Sequence, residues 1–263
     1  MRCLSPKTVV NPKTGKKMPV ACRKCLPCRK YRAHDWTVRL IEHEKTAKNN
    51  WFVTLTLSDD NLTWGYDKPT LVKRDVQLFM MRLRKLFDCK LKYYAVGEYG
   101  ENTKRPHYHL ILFNTNCDDK KAIELIVWQA WKNGLVHVGE VTPASIRYVA
   151  GYLEKGIYGE NNDETIIREF NLQSLKLGSN YVEKNKNYHE ETKRYFYVKE
   201  GKKTALPRYY KQHCFSDEAK VQIASTIDLS LDQQKPTRNE ALNDLKFRLD
   251  RINALNNLKN KRK

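Results

Sequence analysis

Residues 51–57 read W-F-V-T-L-T-L, and this stretch decides the fold. Its residues are mostly aromatic or β-branched, and they alternate in size and polarity, which is typical of a half-buried strand. No glycine or proline interrupts the run. We therefore predict a strand over residues 51–57 and assign the elements that follow relative to it.

The chain after this strand alternates between helical and strand-like periodicity. Residues 70–87 place apolar side chains at helical spacing, with Arg82, Arg84 and Lys85 between them. The remaining predicted elements are, in order, strands 91–98 and 107–113, helix 119–132, strand 136–141 and a helix over 143–155 that Pro143 opens. This β-α-β-β-α-β order predicts an α+β fold of the ferredoxin-like, split βαβ type with a central antiparallel sheet.

The flanking regions give weaker patterns. Prolines and a glycine predict a loop-like stretch over residues 1–28, and residues 29–48 are expected to form a helix. Residues 158–200 look polar and irregular, whereas residues 204–215 look like an aromatic and basic insertion against the core. A last helix is predicted from Pro236, where Thr237 and Glu240 form a capping box. These patterns divide the chain into regions 1–50, 51–157, 158–235 and 236–263.

The charge is strongly basic. The chain of 263 residues has 49 Lys and Arg against 30 Asp and Glu, a net charge of +19. Residues 1–50 carry about half of the excess, with a net charge of +10 from 13 basic and 3 acidic residues. Such a balance indicates a polyanionic partner, although charge alone does not separate nucleic acid from an anionic membrane or from a merely solvated surface.

Targeting signals are missing from the sequence. No apolar stretch is long enough for a transmembrane helix, and the basic N-terminus lacks the apolar run of a secretory signal. We therefore expect no membrane partner and a location in a cytoplasm. In that compartment the seven cysteines are expected to be thiols or metal ligands.

Two histidines, His107 and His109, are separated by one residue in a predicted strand. Because strand side chains alternate, both imidazoles lie on one face and can bind one divalent metal ion. Glu98 at the end of the preceding strand could complete the ligand set, and Glu101 nearby is an alternative. Such a set with open positions suits Mg²⁺ or Mn²⁺ at a phosphate. Surface histidines on a polar sheet face would give the same pattern.

The predicted helix 143–155 carries Tyr148, Tyr152 and Lys155 at positions i, i+4 and i+7, which share one face. A tyrosine that attacks phosphorus forms a phosphotyrosine ester and frees a 3′-hydroxyl, so the bond energy is kept for rejoining. Lys155 could stabilise the anionic transition state. The alternative is an aromatic stripe that packs on the sheet, which explains Lys155 less well.

These features together resemble a known family. F-V-T-L-T-L (52–57), R-P-H-Y-H-L-I-L-F (105–113) and Y-V-A-G-Y-L-E-K (148–155) look like the three motifs of two-tyrosine rolling-circle initiators of the HUH endonuclease superfamily. M-R-C-L-S-P (1–6), C-R-K-C-L-P-C (22–28) and L-P-R-Y-Y-K (206–211) are similar to replication initiation proteins of microviruses, particularly the gokushovirus group.

The resemblance has several implications. It implies an HUH-type fold, metal-dependent nicking and rejoining of single-stranded and replicative-form DNA at an origin, and a 5′-phosphotyrosine intermediate with Mg²⁺ or Mn²⁺. A host helicase and polymerase are implied partners, in the cytoplasm of a bacterial host. The family's glutamate ligand is not placed by the motifs, so Glu98 comes from the residue pattern alone.

The cysteines near the N-terminus have the spacing C-x₂-C-x₂-C at Cys22, Cys25 and Cys28, with Cys3 upstream. Four thiolates could bind a structural Zn²⁺ ion, whereas free thiols in a loop are the alternative. The basic residues threaded through the cluster are expected to contact DNA. They are Arg23, Lys24, Arg29, Lys30 and Arg32.

Two other functions fit parts of the pattern. A non-catalytic basic protein could bind single-stranded nucleic acid through aromatic side chains and basic segments, but it would not need the tyrosine helix. A plasmid relaxase or single-strand transposase would use the same chemistry in another setting. The N-terminal cysteines favour the phage initiator over these.

Overall fold

The computed structural model describes residues 3–12, 15–100, 103–155, 166–199 and 201–233. The N-terminal part is a small hairpin followed by a long helix. Strands β1 (Lys7–Val10) and β2 (Lys17–Val20) pair antiparallel, and helix α1 spans Leu26–Glu44. The prediction that residues 1–28 are a loop is thus wrong for this hairpin. Its strands are only four residues long and largely exposed, so hydrophobic periodicity gives no signal.

The central elements follow the predicted order. They are β3 (Trp51–Leu57), a 3-10 turn (Asp59–Asn61), α2 (Lys73–Leu86), β4 (Lys92–Tyr99), β5 (Pro106–Phe113), α3 (Lys120–Trp131), β6 (Gly134–Glu140) and α4 (Pro143–Lys155). The sheet order β6-β3-β5-β4 with antiparallel neighbours is that of a split βαβ fold. The predicted α+β fold with a central antiparallel sheet is confirmed.

A fifth strand extends this sheet. Strand β7 (Phe170–Gln173) pairs antiparallel with β4, so the complete order is β6-β3-β5-β4-β7. The chain continues with α5 (Ser179–Thr192), the hairpin β8 (Phe196–Lys199) and β9 (Lys202–Ala205), α6 (Arg208–His213) and α7 (Asp217–Gln233). The prediction of an irregular stretch over residues 158–200 is therefore wrong wherever the structure describes it. The helix predicted from Pro236 lies outside the described residues.

Both faces of the sheet are covered by helices. Because side chains alternate along β3 and β5, one face packs against α2 and α3 through residues such as Val53 and Leu110. The other face packs against α1 and α4, with Ile111 and Phe113 in contact with apolar residues of both helices. The site residues lie on this second face. None of the helices in the described ranges is both long and apolar enough to cross a membrane.

The elements after β7 pack on the outer side of α1. Val38 of α1 belongs to a separate buried cluster with Leu206, Tyr210 and Phe215. Arg39 donates to the Leu177 carbonyl oxygen at 2.9 Å. The predicted aromatic segment 204–215 thus packs against α1, and it contributes most of this second core.

Candidate active site

Strand β5 carries both predicted histidines into the middle of the sheet. His107 lies opposite Thr56 of β3 and Glu98 of β4, and His109 lies opposite Thr54 of β3. Antiparallel partners point to the same face, so these five side chains share the face beneath α1 and α4. The predicted shared face of the histidine pair is therefore present, with Glu98 on the same row as His107.

Two threonines orient the imidazoles. Thr54 Oγ1 lies 3.0 Å from His109 Nδ1, and Thr56 Oγ1 lies 3.1 Å from His107 Nδ1. A hydrogen bond at Nδ1 fixes the ring and leaves Nε2 available as a ligand atom, as in many metal sites. Sequence reasoning missed both threonines. The alternation in residues 51–57 could have placed them on one face, but only the register puts them beside the histidines.

Glu98 completes a set of donors suited to a divalent cation. Its Oε1 lies 2.8 Å from His109 Nε2, and both side chains are mostly buried. Burial, and secondarily the neighbouring His109, lower the pKa of His107, so its ring stays neutral as ligation requires. Two imidazole nitrogens and a carboxylate oxygen therefore fit Mn²⁺ or Mg²⁺. Glu101, the alternative carboxylate, lies outside the described residues.

The tyrosine helix covers the histidine pair. The Tyr152 ring stacks on His109 with centroids 5.2 Å apart, and its hydroxyl lies 3.5 Å from His109 Nε2. Tyr148 meets His109 edge-on at 5.6 Å, and the Tyr152 hydroxyl donates a hydrogen bond to the Tyr148 hydroxyl. Phe52 of β3 stacks on the His109 ring at 5.9 Å. Both predicted nucleophiles thus converge on the predicted metal ligand.

The two tyrosines differ in environment. Tyr152 is only 7% exposed, whereas Tyr148 is 51% exposed. Burial, then the hydrogen bond with Tyr148 and the nearby Glu98, raise the pKa of the Tyr152 phenol above its ordinary value. Without a compensating positive charge this phenol stays protonated at neutral pH. Helix α4 extends to Lys155, but the side chain of Lys155 lies outside the described part of the structure.

The four N-terminal cysteines form a compact cluster at the start of α1. Within the described ranges, this is the group of His, Cys, Asp and Glu side chains whose ligand atoms all lie within 4.8 Å of one another; the histidine and Glu98 set is less tightly gathered. Cys22 Sγ lies 4.0 Å from Cys28 Sγ, and Cys25 Sγ lies 3.8 Å from Cys3 Sγ. Tetrahedral Zn–S bonds of about 2.3 Å require sulfur separations of about 3.8 Å. The cluster could hold a metal ion.

Backbone amides support thiolates in this cluster. The amides of Cys25 and Lys24 donate to Cys22 Sγ at 3.3 and 3.4 Å, and they lower the pKa of Cys22 to about 6. The Cys22 amide in turn donates to Cys3 Sγ at 3.2 Å. These N–H donors stabilise negative sulfur, which is the form that binds metal.

The predicted DNA-contacting residues do not form one patch. Arg23 and Lys24 are exposed beside the cysteine cluster. Arg32 instead donates to Asn171 Oδ1 of β7 at 2.8 Å, and Arg29 acts electrostatically on Glu169, the residue before β7. Lys30, also on α1, is half-buried. The structure therefore separates a basic surface at the cysteines from arginines beside the sheet edge.

Comparisons with known proteins agree with this arrangement. Residues 50–157 match the family model for replication-associated proteins of the ORF2 type. Replication-associated protein VP4 of Bdellovibrio phage phiMH2K is 31% identical over 255 residues, covering 86% of this chain and 80% of the relative. The chain belongs to the family of phage replication-associated proteins. This membership confirms the resemblance to microvirus replication proteins.

Other members of the family are similarly related. Replication-associated protein ORF2 of Spiroplasma virus 4 is 30% identical over 253 residues, covering 80% of this chain and 79% of the relative. Replication-associated protein ORF4 of Chlamydia phage 1 is 29% identical over 219 residues, covering 73% of this chain and 53% of the relative. No solved structure matches the chain.

Proposed function

We propose that this phage replication-associated protein initiates rolling-circle replication by nicking and rejoining DNA at the phage origin. Membership of the family supports a role in replication. The observation that carries the nicking chemistry is the position of the Tyr152 hydroxyl, 3.5 Å from His109 Nε2 and beside Glu98. A nucleophile, two imidazoles and a carboxylate thus meet on a rigid sheet.

The ligand set assigns a role to each side chain. His107 and His109 would hold Mg²⁺ or Mn²⁺ through their Nε2 atoms, with Glu98 as the oxygen ligand. When bound, the cation polarises the scissile phosphate and supplies the positive charge that the buried phenol lacks. Thr54 and Thr56 keep both rings in the ligating orientation through their contacts with Nδ1.

The reaction is a phosphoryl transfer to tyrosine. The phenolic oxygen of Tyr152 forms a bond to phosphorus while the bond between phosphorus and the 3′-oxygen breaks, and the phenolic proton passes to that oxygen. The products are a 5′-phosphotyrosine ester and a 3′-hydroxyl that can prime synthesis. Attack by a 3′-hydroxyl on the ester reverses the step and rejoins the strand.

The second tyrosine supports repeated use of the site. Because the hydroxyls of Tyr148 and Tyr152 are in hydrogen-bond contact, either phenol can reach a phosphate held at the same position. One tyrosine would hold the 5′ end while the other cuts the newly made origin. Lys155, one turn further along α4, is proposed to stabilise the anionic transition state.

The partners follow from charge and chemistry. A net charge of +19, with Arg29 and Arg32 beside the sheet edge that carries Glu98, supports binding of single-stranded and replicative-form DNA. Strand separation and synthesis would come from a host helicase and polymerase, so the protein would act in the host cytoplasm. A purely binding protein would not need the phenols to converge on His109, and a relaxase or transposase fits the family matches less well.

The test is formation of a covalent complex. We expect the purified protein with Mn²⁺ and single-stranded origin DNA to give an adduct that survives a denaturing gel and disappears with EDTA. The adduct should carry the label of the 5′ end of the downstream fragment and leave a free 3′-hydroxyl upstream. Absence of any adduct across a library of phage origin sequences would contradict the enzymatic proposal.

We further propose that Cys3, Cys22, Cys25 and Cys28 bind one structural Zn²⁺ ion that fixes the β1–β2 hairpin to the start of α1. Cys25→Ser is expected to lower the zinc content from about one ion per chain to near zero, and to expose the hairpin to proteolysis. Elemental analysis and limited proteolysis measure both. Cys117→Ser, outside the cluster, is the matched control and should keep its zinc. Wild-type protein without bound zinc would refute the proposal.

A further inference from the structure

Strand β7 brings another carboxylate to the edge of the candidate metal site. The register of β4 with β7 pairs Gly97 with Phe170, and one step further along the same register Glu98 faces Glu169. Directly opposed residues in antiparallel strands have Cβ atoms about 5 Å apart. Of the charged groups around Glu169, Glu98 acts on it most strongly, ahead of Arg29 and Lys104.

The neighbouring residue sets the direction of the Glu169 side chain. Phe170 belongs to the core on the α2 and α3 face, where its ring packs 6.3 Å from the Tyr108 ring. A Cβ atom at Gly97 would lie 3.0 Å from the Phe170 ring, so this close packing requires glycine there. Because strand side chains alternate, Glu169 points to the opposite face, which His107, His109 and Glu98 share.

The two carboxylates lack an evident partner that would offset their repulsion. Glu169 is half-buried, and among the described residues its carboxylate forms no hydrogen bond or ion pair within 4.0 Å. Like charges directly opposed across two strands destabilise a sheet, and partial burial increases that cost. A divalent cation between them would remove the repulsion and offset both negative charges.

We propose that Glu169 is a second carboxylate ligand of the cation that His107, His109 and Glu98 hold. This inference rests on the proposed function. Two carboxylates and two neutral imidazoles balance a divalent charge, and a second oxygen donor shifts the preference of the site toward Mg²⁺ and Mn²⁺. A phosphate oxygen would then occupy a remaining coordination position.

A different role for Glu169 gives the opposite signs. As a mere counter-ion of Arg29, Glu169 would stabilise the metal-free protein and have no effect on metal affinity. As a ligand opposite Glu98, it would destabilise the metal-free protein and strengthen metal binding. Stability in EDTA and affinity for Mn²⁺ therefore separate the two roles without reference to nicking.

The experiment compares the full-length wild type, Glu169→Gln and Glu140→Gln. Glu140 is an exposed strand glutamate whose partner Trp51 lies on the other face of the sheet, so it is the matched control. Metal-free protein is titrated with Mn²⁺, and free Mn²⁺ is measured by electron paramagnetic resonance. We expect Glu169→Gln to bind Mn²⁺ at least about 10-fold more weakly, while Glu140→Gln binds as the wild type does.

Thermal unfolding in EDTA completes the test. Glu169→Gln should unfold at the same or a higher temperature than the wild type, because the repulsion with Glu98 is lost. Unchanged Mn²⁺ affinity, with or without a lower unfolding temperature, would overturn the inference while leaving the proposed function intact. A wild type that binds no Mn²⁺ would overturn both, and weaker binding with a normal adduct assay in excess Mn²⁺ supports both.

Discussion

His109→Ala should lower metal-dependent nicking at least about 10³-fold, since it removes a ligand and the contact beside the attacking phenol. His109 Nε2 lies 2.8 Å from Glu98 Oε1 and 3.5 Å from the Tyr152 hydroxyl, so the substitution affects both the cation and the nucleophile. DNA affinity should remain nearly unchanged, because its salt-dependent part comes from Lys and Arg contacts with phosphates. Adduct yield and fluorescence anisotropy measure the two effects separately.

His137→Ala is the matched control for this prediction. His137 lies on β6 opposite Thr54, on the same sheet face as His109, but it is exposed and two strands away. It should nick DNA at the wild-type rate. If His109→Ala and His137→Ala lost activity equally, a general effect of the sheet face would explain the loss, and the assignment of His109 as a ligand would fail.

Removing both phenols should abolish the covalent complex. We expect the double variant Tyr148→Phe with Tyr152→Phe to lose adduct formation by at least about 10⁴-fold, because no hydroxyl remains beside the ligands. Of the single variants, Tyr152→Phe should be the more damaging, since its hydroxyl is the one beside His109. The readout is the yield of labelled protein on a denaturing gel.

Phenylalanine keeps the ring contacts, so folding should survive these changes. The Tyr152 ring still stacks on His109, and only hydrogen bonds are lost. Tyr94→Phe serves as the control, because Tyr94 is a buried tyrosine on the same sheet face whose hydroxyl has no partner among the described residues. An adduct that persisted in the double variant would mean that another nucleophile attacks, and the role of α4 would be wrong.

The central fold could be predicted because local patterns and tertiary packing agree there. Residues 51–57 alternate as a strand with one buried face must, and the structure buries every second residue of that stretch. The hydrophobic spacing of α2 follows from one apolar stripe against the same sheet face. The pattern failed where burial is slight. Four-residue strands such as β7 and the β1–β2 hairpin are too short for periodicity to be distinguished from loop sequence.

The site divides in the same way. The H-x-H and Y-x₃-Y spacings were enough to predict that each pair shares a face, since that follows from strand and helix geometry alone. The sequence did not reveal which other side chains face them. Thr54 and Thr56 reach His109 and His107 across 55 and 51 residues of chain, respectively. Glu169 reaches the same face only because β7 pairs with β4.

By itself, the sequence determined the order of elements, the shared faces of the histidine and tyrosine pairs, and the spacing of the cysteines. All of these depend on residues within about one turn or one strand of each other. The tertiary structure alone decided that Tyr152 stacks on His109, that threonines hold both imidazoles, and that β7 adds Glu169 opposite Glu98. The physical reason is that strand register and helix docking are set by packing of the whole core, which no local pattern specifies.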